Sequence, residues 1–308
     1  MRAASFVILA TLVFALTADA GTLTTRNLTH ASVARSYLEY RPTDLAAGVV
    51  PLVLVLHADS ESAVTAAGNT RASFQWRTIS DVEGFVVAYP ASVGTNWNDC
   101  GQVAITGTPS SAEDVGFLRR VVADVSSRFS IDQSRIYVSG ASGGGLMSLR
   151  LMQESSETFA AAAAFIALNA VDSAGECRPP ANPSTVLYQY GSVDTLVQPA
   201  GGPRNQSAAA TRSYWQGMLG CIGVPLIDDY FDLDMGDSST LSAERFQSCA
   251  DGSSLHILTA TGAGHTVPSL LYLSAGGQNR DVEAVDDAWK ILKESVLGVD
   301  RWLATGFE

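Results

Sequence analysis

The sequence predicts an α/β fold, a mostly parallel central sheet flanked by helices, and three observations carry that expectation. Continuous apolar runs rich in valine, at 49–56 and 84–90, fit strands buried on both faces, as parallel sheets require. Segments with apolar residues at helical spacing separate the strands, and that alternation implies parallel pairing through right-handed crossovers. Residues 135–146 run from a β-branched and aromatic stretch directly into Gly140-Ala141-Ser142-Gly143-Gly144 and then into an apolar, helix-forming run. That order is strand, sharp turn, helix, with a serine at the turn.

Each element follows in order. Residues 1–20 read as a secretory signal: Arg2, an apolar run from Phe6 to Leu16, and Ala18-Asp19-Ala20 as a small-x-small cleavage site. The run is too short for a membrane-spanning helix. Residues 36–40 alternate and read as an edge strand stopped by Pro42. The buried strand at 49–56 ends in His57-Ala58-Asp59-Ser60; 74–82 is a helix; 84–90 is a second buried strand closed by Pro90, followed by a loop with Trp97, Asn98 and Cys100. Ser111-Ala112-Glu113-Asp114 opens a helix with a capping-box pattern. Val115, Leu118, Val122, Val125 and Phe129 mark its apolar face. Residues 159–167 are alanine-rich, so propensity says helix; a run here would pair beside the strand before Ser142, and position makes it a strand. Residues 184–190 form a clearer strand leading to Gly191-Ser192-Val193-Asp194. A helix at 211–219 ends at Gly220, the acidic stretch 228–237 reads as solvated loop, and the last strand, 255–259, leads to Gly262-Ala263-Gly264-His265. Val282, Val285, Trp289, Leu292 and Val296 mark a C-terminal amphipathic helix. Residues 21–308 suit one large domain.

The formal net charge is −12, and removal of residues 1–20 leaves it unchanged because one Arg and one Asp are lost together. An acidic chain argues against nucleic acid or an anionic membrane surface as partner, since both select clustered Lys and Arg. Four cysteines in an exported chain imply two disulfides, with three possible pairings. None of them has a metal or redox spacing. Asn27 and Asn205 match the glycan acceptor pattern, usable only in a eukaryotic host. Nothing in the sequence bears on oligomeric state.

A serine hydroxyl becomes a nucleophile when a base lies within hydrogen-bond reach and an acid orients that base. The chain has four histidines. His30 precedes the first core strand, His256 lies inside a strand, and His57 precedes the serine. His265 comes last, in a glycine-flanked loop at a strand end, and is the candidate base for Ser142. Among the intervening carboxylates only Asp194 follows a strongly apolar strand by a short glycine turn. That places it on the rim of the sheet where ligands bind in open α/β folds; Asp172 and Glu176 lack such a strand. The N–H of Gly143 can point at a developing oxyanion. A second donor is expected from the backbone of Ala58 or Asp59, while the side chains of His57 and Asp59 are expected to hold the loop.

In order and spacing, Pro51–His57, Gly84–Pro90, Glu113–Phe117, Ile131–Gly144, Tyr190–Asp194 and Gly262–Pro268 resemble the secreted polyhydroxybutyrate depolymerase and feruloyl esterase branch of the α/β-hydrolase superfamily. The resemblance runs from about Arg35 to the C-terminal helix. It implies Ser142 as nucleophile, Asp194 as acid and His265 as base, with no metal or organic cofactor. It implies cleavage of a small-molecule or polymeric carboxylic ester through an acyl-enzyme, outside the cell. Three departures stand out. The branch's His-Gly is His57-Ala58; Gly-Leu-Ser-Asn-Gly-Gly is Gly140-Ala141-Ser142-Gly143-Gly144-Gly145; and the Trp before Pro beyond the base is Val267. Val267 removes an aromatic substrate surface, which Trp97 either supplies in part or leaves vacant by anchoring a loop. A hydroxycinnamoyl ester of plant cell wall is the first expectation, because polyester depolymerases of the branch often add a linker and a binding domain after the last helix. A 3-hydroxyalkanoate ester comes second, and an inactive binding protein on the same fold third. The branch has cysteines at the places of Cys221 and Cys249, so the expected pairs are Cys221–Cys249 and Cys100–Cys177.

Overall fold

The computed structural model describes residues 21–298 apart from 69–71, 102, 105–106, 180–181, 183 and 275–276. The expected signal, 1–20, lies outside the described residues. The chain opens with β1 (Thr22–His30) and β2 (Val33–Arg41), then β3 (Val50–Leu56), α1 (Ala63–Ala67), α2 (Gln75–Glu83) and β4 (Val86–Pro90). Next come α3 (Asp114–Ser126), β5 (Ile131–Ala141), α4 (Gly143–Glu154), β6 (Ala161–Phe165), β7 (Thr185–Gly191) and α5 (Ala208–Met218). Strands β8 (Leu226–Asp229), β9 (Thr240–Phe246) and β10 (Leu255–Thr261) and helix α6 (Ala284–Leu292) complete it. The sheet order is β1-β2-β4-β3-β5-β6-β7-β10-β9-β8. Its centre, β4 through β10, is parallel, and antiparallel strands extend both ends.

Pleating divides the core in two. Leu52, Leu54, Leu56, Ile136 and Val138 face α3, α4 and α5, with Phe117, Leu149 and Trp215 among their neighbours. Val53, Val55 and Tyr137 face α1, α2 and α6. There Trp289 lies over Phe85, with ring centroids 4.3 Å apart, and meets Trp76 edge-on. Helices on both faces explain why the central strands read as unbroken apolar runs. Helix α4 passes close to the end of β6: a Cβ on Gly145 would sit 2.9 Å from Phe165 O and 2.6 Å from the methyl of Ala167 just beyond the strand. Position prevails over helix propensity at 159–167.

Four expectations need correction. Residues 36–40 belong to β2, which is not an edge strand: β1 covers it along nine residue pairs. Part of the acidic stretch is strand β8, paired with β9. Helix α3 is capped by Glu113, whose carboxylate accepts the Gly116 N–H at 2.8 Å, rather than by a Ser111 capping box. Its buried face is Phe117, Leu118, Val121, Val122 and Val125; Val115 is half-buried and Phe129 lies beyond its end. The disulfides join Cys100 to Cys177 and Cys221 to Cys249. Among the described residues no helix is long and apolar enough to cross a membrane.

Candidate active site

Ser142 occupies the turn between β5 and α4 with φ 54° and ψ −122°, a region that residues with a Cβ avoid. The glycines around it are steric requirements. A Cβ on Gly140 would lie 2.3 Å from the Gly144 carbonyl oxygen, and one on Gly144 would lie 2.4 Å from that of Leu56. The Ser142 N–H donates to Phe165 O at the end of β6 (2.9 Å), which fixes the turn.

Asp194 follows β7 in a turn whose amides converge on it: its Oδ1 accepts from the N–H groups of Leu196 (2.8 Å) and Val197 (3.0 Å). Its Oδ2 lies 2.7 Å from His265 Nδ1, and His265 Nε2 lies 2.9 Å from Ser142 Oγ. The carboxylate only accepts, so Nδ1 carries the proton and Nε2 is free to accept from the serine. Two further bonds tie the turn to the histidine loop, from the Val193 N–H to Ala263 O (3.1 Å) and from the Gly262 N–H to Ser192 Oγ (2.9 Å). The Asp194 side chain is fully buried, whereas that of His265 is 18% exposed and faces a cleft. Asp172 accepts from the amides of Glu176 and Cys177 in another loop and takes no part.

The cleft, about 510 Å³, has Ser142 and His265 in its wall together with His57, Ala58 and Asp59 from the loop after β3. Ile166, Leu196, Val267 and Tyr272 supply part of its apolar lining. His57 is a loop anchor: Nδ1 donates to Ala58 O (2.8 Å) and Nε2 accepts from the Ser92 N–H (3.2 Å). Burial lowers its pKa, in keeping with a neutral ring. Trp97 is an anchor too: it is buried, packs its ring at a tilt against that of His57 with centroids 4.8 Å apart, and donates its indole N–H to His57 O at 2.9 Å. Trp97 is not among the residues lining the cleft, so of its two expected roles its placement fits the loop anchor and not the substrate surface; Val267 does line the cleft.

Several residues had no signal in the sequence. Arg204 pairs with Asp59 and Asp99 beneath the loop after β3. Ile166, at φ 44°, is held by Gln189, whose Oε1 accepts the Ile166 N–H at 3.0 Å. The pattern-matched Asn205 is buried, and its Nδ2 donates to Gln198 O and Gln206 O, both at 2.8 Å, so it is closed to a glycan in the folded chain; Asn27 on β1 is exposed. Cys100 and Cys177 approach Glu154 closely, but as a disulfide they offer no thiolate to a metal.

The model of the prolyl oligopeptidase family matches residues 73–171, which include Ser142. Feruloyl esterase B of Piromyces equi is 27% identical over 198 residues, 59% of this chain and 34% of its own length. The bifunctional acetylxylan esterase/xylanase XynS20E of Neocallimastix patriciarum is 31% identical over 158 residues, 51% of this chain and 21% of its own length. The chain thus spans about a third of the first relative and about a fifth of the second. Among solved structures, the acetyl xylan esterase from Aspergillus awamori superposes with a TM-score of 0.61 at 18% identity, covering 87% of this chain and 99% of that one. The chain has the fold of these α/β-hydrolase esterases, and over part of its length its sequence is similar to theirs.

Proposed function

We propose that this protein is a secreted carboxylic ester hydrolase acting through an acyl-enzyme on Ser142. The observation that carries the reading is the unbroken hydrogen-bonded chain Asp194–His265–Ser142 in the wall of an open cleft. Ser142 Oγ attacks the ester carbonyl as His265 Nε2 takes its proton. Asp194 holds the ring and stabilises the imidazolium. The N–H of Gly143 and that of Ala58 or Asp59 receive the oxyanion. The leaving alcohol takes the proton from Nε2, and a water activated by the same nitrogen releases the acid. Every proton in this cycle passes through His265. An apparent signal at 1–20 and two disulfides support secretion.

The substrate we favour is a hydroxycinnamoyl ester of plant cell wall. Kinship with a feruloyl esterase supports it, as does Tyr272, which sets an aromatic ring in the cleft edge-on to Phe74. The acetylxylan esterase relative favours a second reading, the acetyl group of xylan. A fluorophosphonate probe tests the chemistry: it should label the wild-type protein at Ser142 and leave Ser142→Ala unlabelled. An unlabelled wild type would leave an inactive binding protein as the reading. Rates on methyl ferulate, acetylated xylan and hydroxybutyrate oligomers then separate the substrates, and a preference for acetylated xylan would displace the feruloyl reading.

A further inference from the structure

The loop after β3 carries a buried carboxylate directly beside the residue that follows Ser142. A Cβ on Gly143 would lie 1.8 Å from Asp59 Oδ1, so this carboxylate fills the space that a side chain after the serine would take. Its other oxygen accepts from Arg204 Nη2 at 2.7 Å. The same nitrogen reaches Asp99 Oδ2 at 3.3 Å, and Arg204 Nη1 donates to Val103 O at 2.8 Å. The three side chains are 4–7% exposed, so water screens little of their charge.

Two carboxylates share one guanidinium. Burial raises Asp99 to about 6, against Arg204 and the Gly101 N–H, which favour its ionised form. The next cation, Arg150, is engaged by Glu154 and by Asn98 O. Asp59 thus lies between the Gly143 backbone on one side and the Arg204 guanidinium, 2.7 Å away, on the other. Without the Arg204 charge, an ionised Asp59 would oppose the negative charge that grows on the carbonyl oxygen during attack.

We propose that Arg204 is a positioning residue of the oxyanion site: it neutralises Asp59 and holds that carboxylate against Gly143, so that the loop amides face the developing oxyanion without an opposing charge. The proposal rests on the reading of Ser142 as nucleophile. A plain staple between three loops would use the same contacts, and the two differ in whether removal of the Asp59 charge repairs the loss of Arg204.

The test measures kcat and KM on p-nitrophenyl acetate, with thermal melts in parallel, for Arg204→Met and for Arg204→Met combined with Asp59→Asn. Arg204→Met should lower kcat on the order of 10²-fold with KM changed less than about threefold, because the effect falls on the transition state. Adding Asp59→Asn should recover at least about tenfold of kcat, since the opposing charge is gone. An Arg204→Met enzyme with kcat near wild type, or a loss that Asp59→Asn leaves unrepaired, overturns the proposal. Should Arg204→Met not fold, Arg204→Lys decides: with the charge kept, kcat should stay within about tenfold of wild type, and a larger loss in a folded Arg204→Lys protein overturns it. A wild type that neither takes the fluorophosphonate nor cleaves any ester removes the nucleophile reading itself, whereas an active wild type with indifferent Arg204 variants removes only this inference.

Discussion

Ser142 combines two properties that substitution separates: a hydroxyl bonded to His265 Nε2 and a backbone at φ 54°, ψ −122°. Ser142→Ala removes the hydroxyl and keeps a Cβ in the strained region, while Ser142→Gly removes both. Strain of this kind costs on the order of 1–3 kcal/mol, partly offset by about 0.5–1 kcal/mol of extra glycine entropy in the unfolded chain. Both variants should be inactive, and Ser142→Gly should melt about 2–4 °C above Ser142→Ala. Equal melting temperatures would mean that the turn stores no strain. Ser142, Asp194 and His265 were legible because each follows an apolar run by a short glycine-bearing turn, a local signal. Arg204 and Asp99 were not, because their partners lie 145 and 105 residues from Arg204 and no local pattern records such a pairing. Trp97 was read ambiguously because a buried anchor and a stacking surface call for the same side chain.

Helix α4 approaches β3 so closely that its N-terminal glycines set the distance between Ser142 and the sheet. Gly144→Ala would place a Cβ 2.4 Å from Leu56 O and 2.5 Å from His57 O, both backbone atoms that cannot rotate away. It should destabilise by about 2–4 kcal/mol. In α5, a Cβ on exposed Gly217 meets nothing within 4 Å, so Gly217→Ala should be neutral or stabilise by up to about 1 kcal/mol. Denaturant melts compare the two; a tolerated Gly144→Ala would show that α4 can move. Strand β10 makes a second prediction. Burial pushes His256 down to about 4, with Arg245 on β9 adding to the shift. The unfolded chain titrates near 6.5 and so binds the extra proton between the two values. His256 thus contributes stability that is lost as pH falls from 6.5 toward 4, by up to about 3 kcal/mol. Asp99, raised to about 6, acts in the opposite sense, so the difference between wild type and His256→Gln isolates the histidine. That difference should move in favour of the variant as pH falls, and a flat difference would refute the assignment. The strands missed in the sequence share one cause: β1 and β8 have no residue buried, and β9 buries only Leu241, Ala243 and Phe246, so none forms an apolar run. The β1–β2 turn is Ala31-Ser32, both at positive φ, without the Asn-Gly that usually announces such a hairpin.

Across the whole molecule, the parallel strands bring Ser142, Asp194 and His265 to one rim, because each follows the C-terminal end of its strand. The two disulfides lie differently against that rim. Cys100 is next to Asp99 in the loop after β4, and Cys177 holds the loop before β7, so this bond braces the ground beneath Arg204 and Asp59. Cys221 follows α5 and Cys249 precedes β10, at the opposite end of the sheet, where the Ile222–Ser248 and Ala250–Leu219 backbone bonds already join the same segments. With separations of 77 and 28 residues, each bond removes enough unfolded-chain entropy to stabilise by about 4 kcal/mol at most. Peptide mapping of the unreduced protein should return the peptides linked Cys100–Cys177 and Cys221–Cys249. Replacing either pair by alanine should lower the melting temperature. Activity should separate the pairs, because a small shift of the proposed oxyanion loop is amplified in rate. The Cys100→Ala, Cys177→Ala variant should lose at least about tenfold in kcat, and the Cys221→Ala, Cys249→Ala variant should keep kcat within about twofold at temperatures where both are folded. Equal losses in kcat would mean that both disulfides act on the site only through global stability.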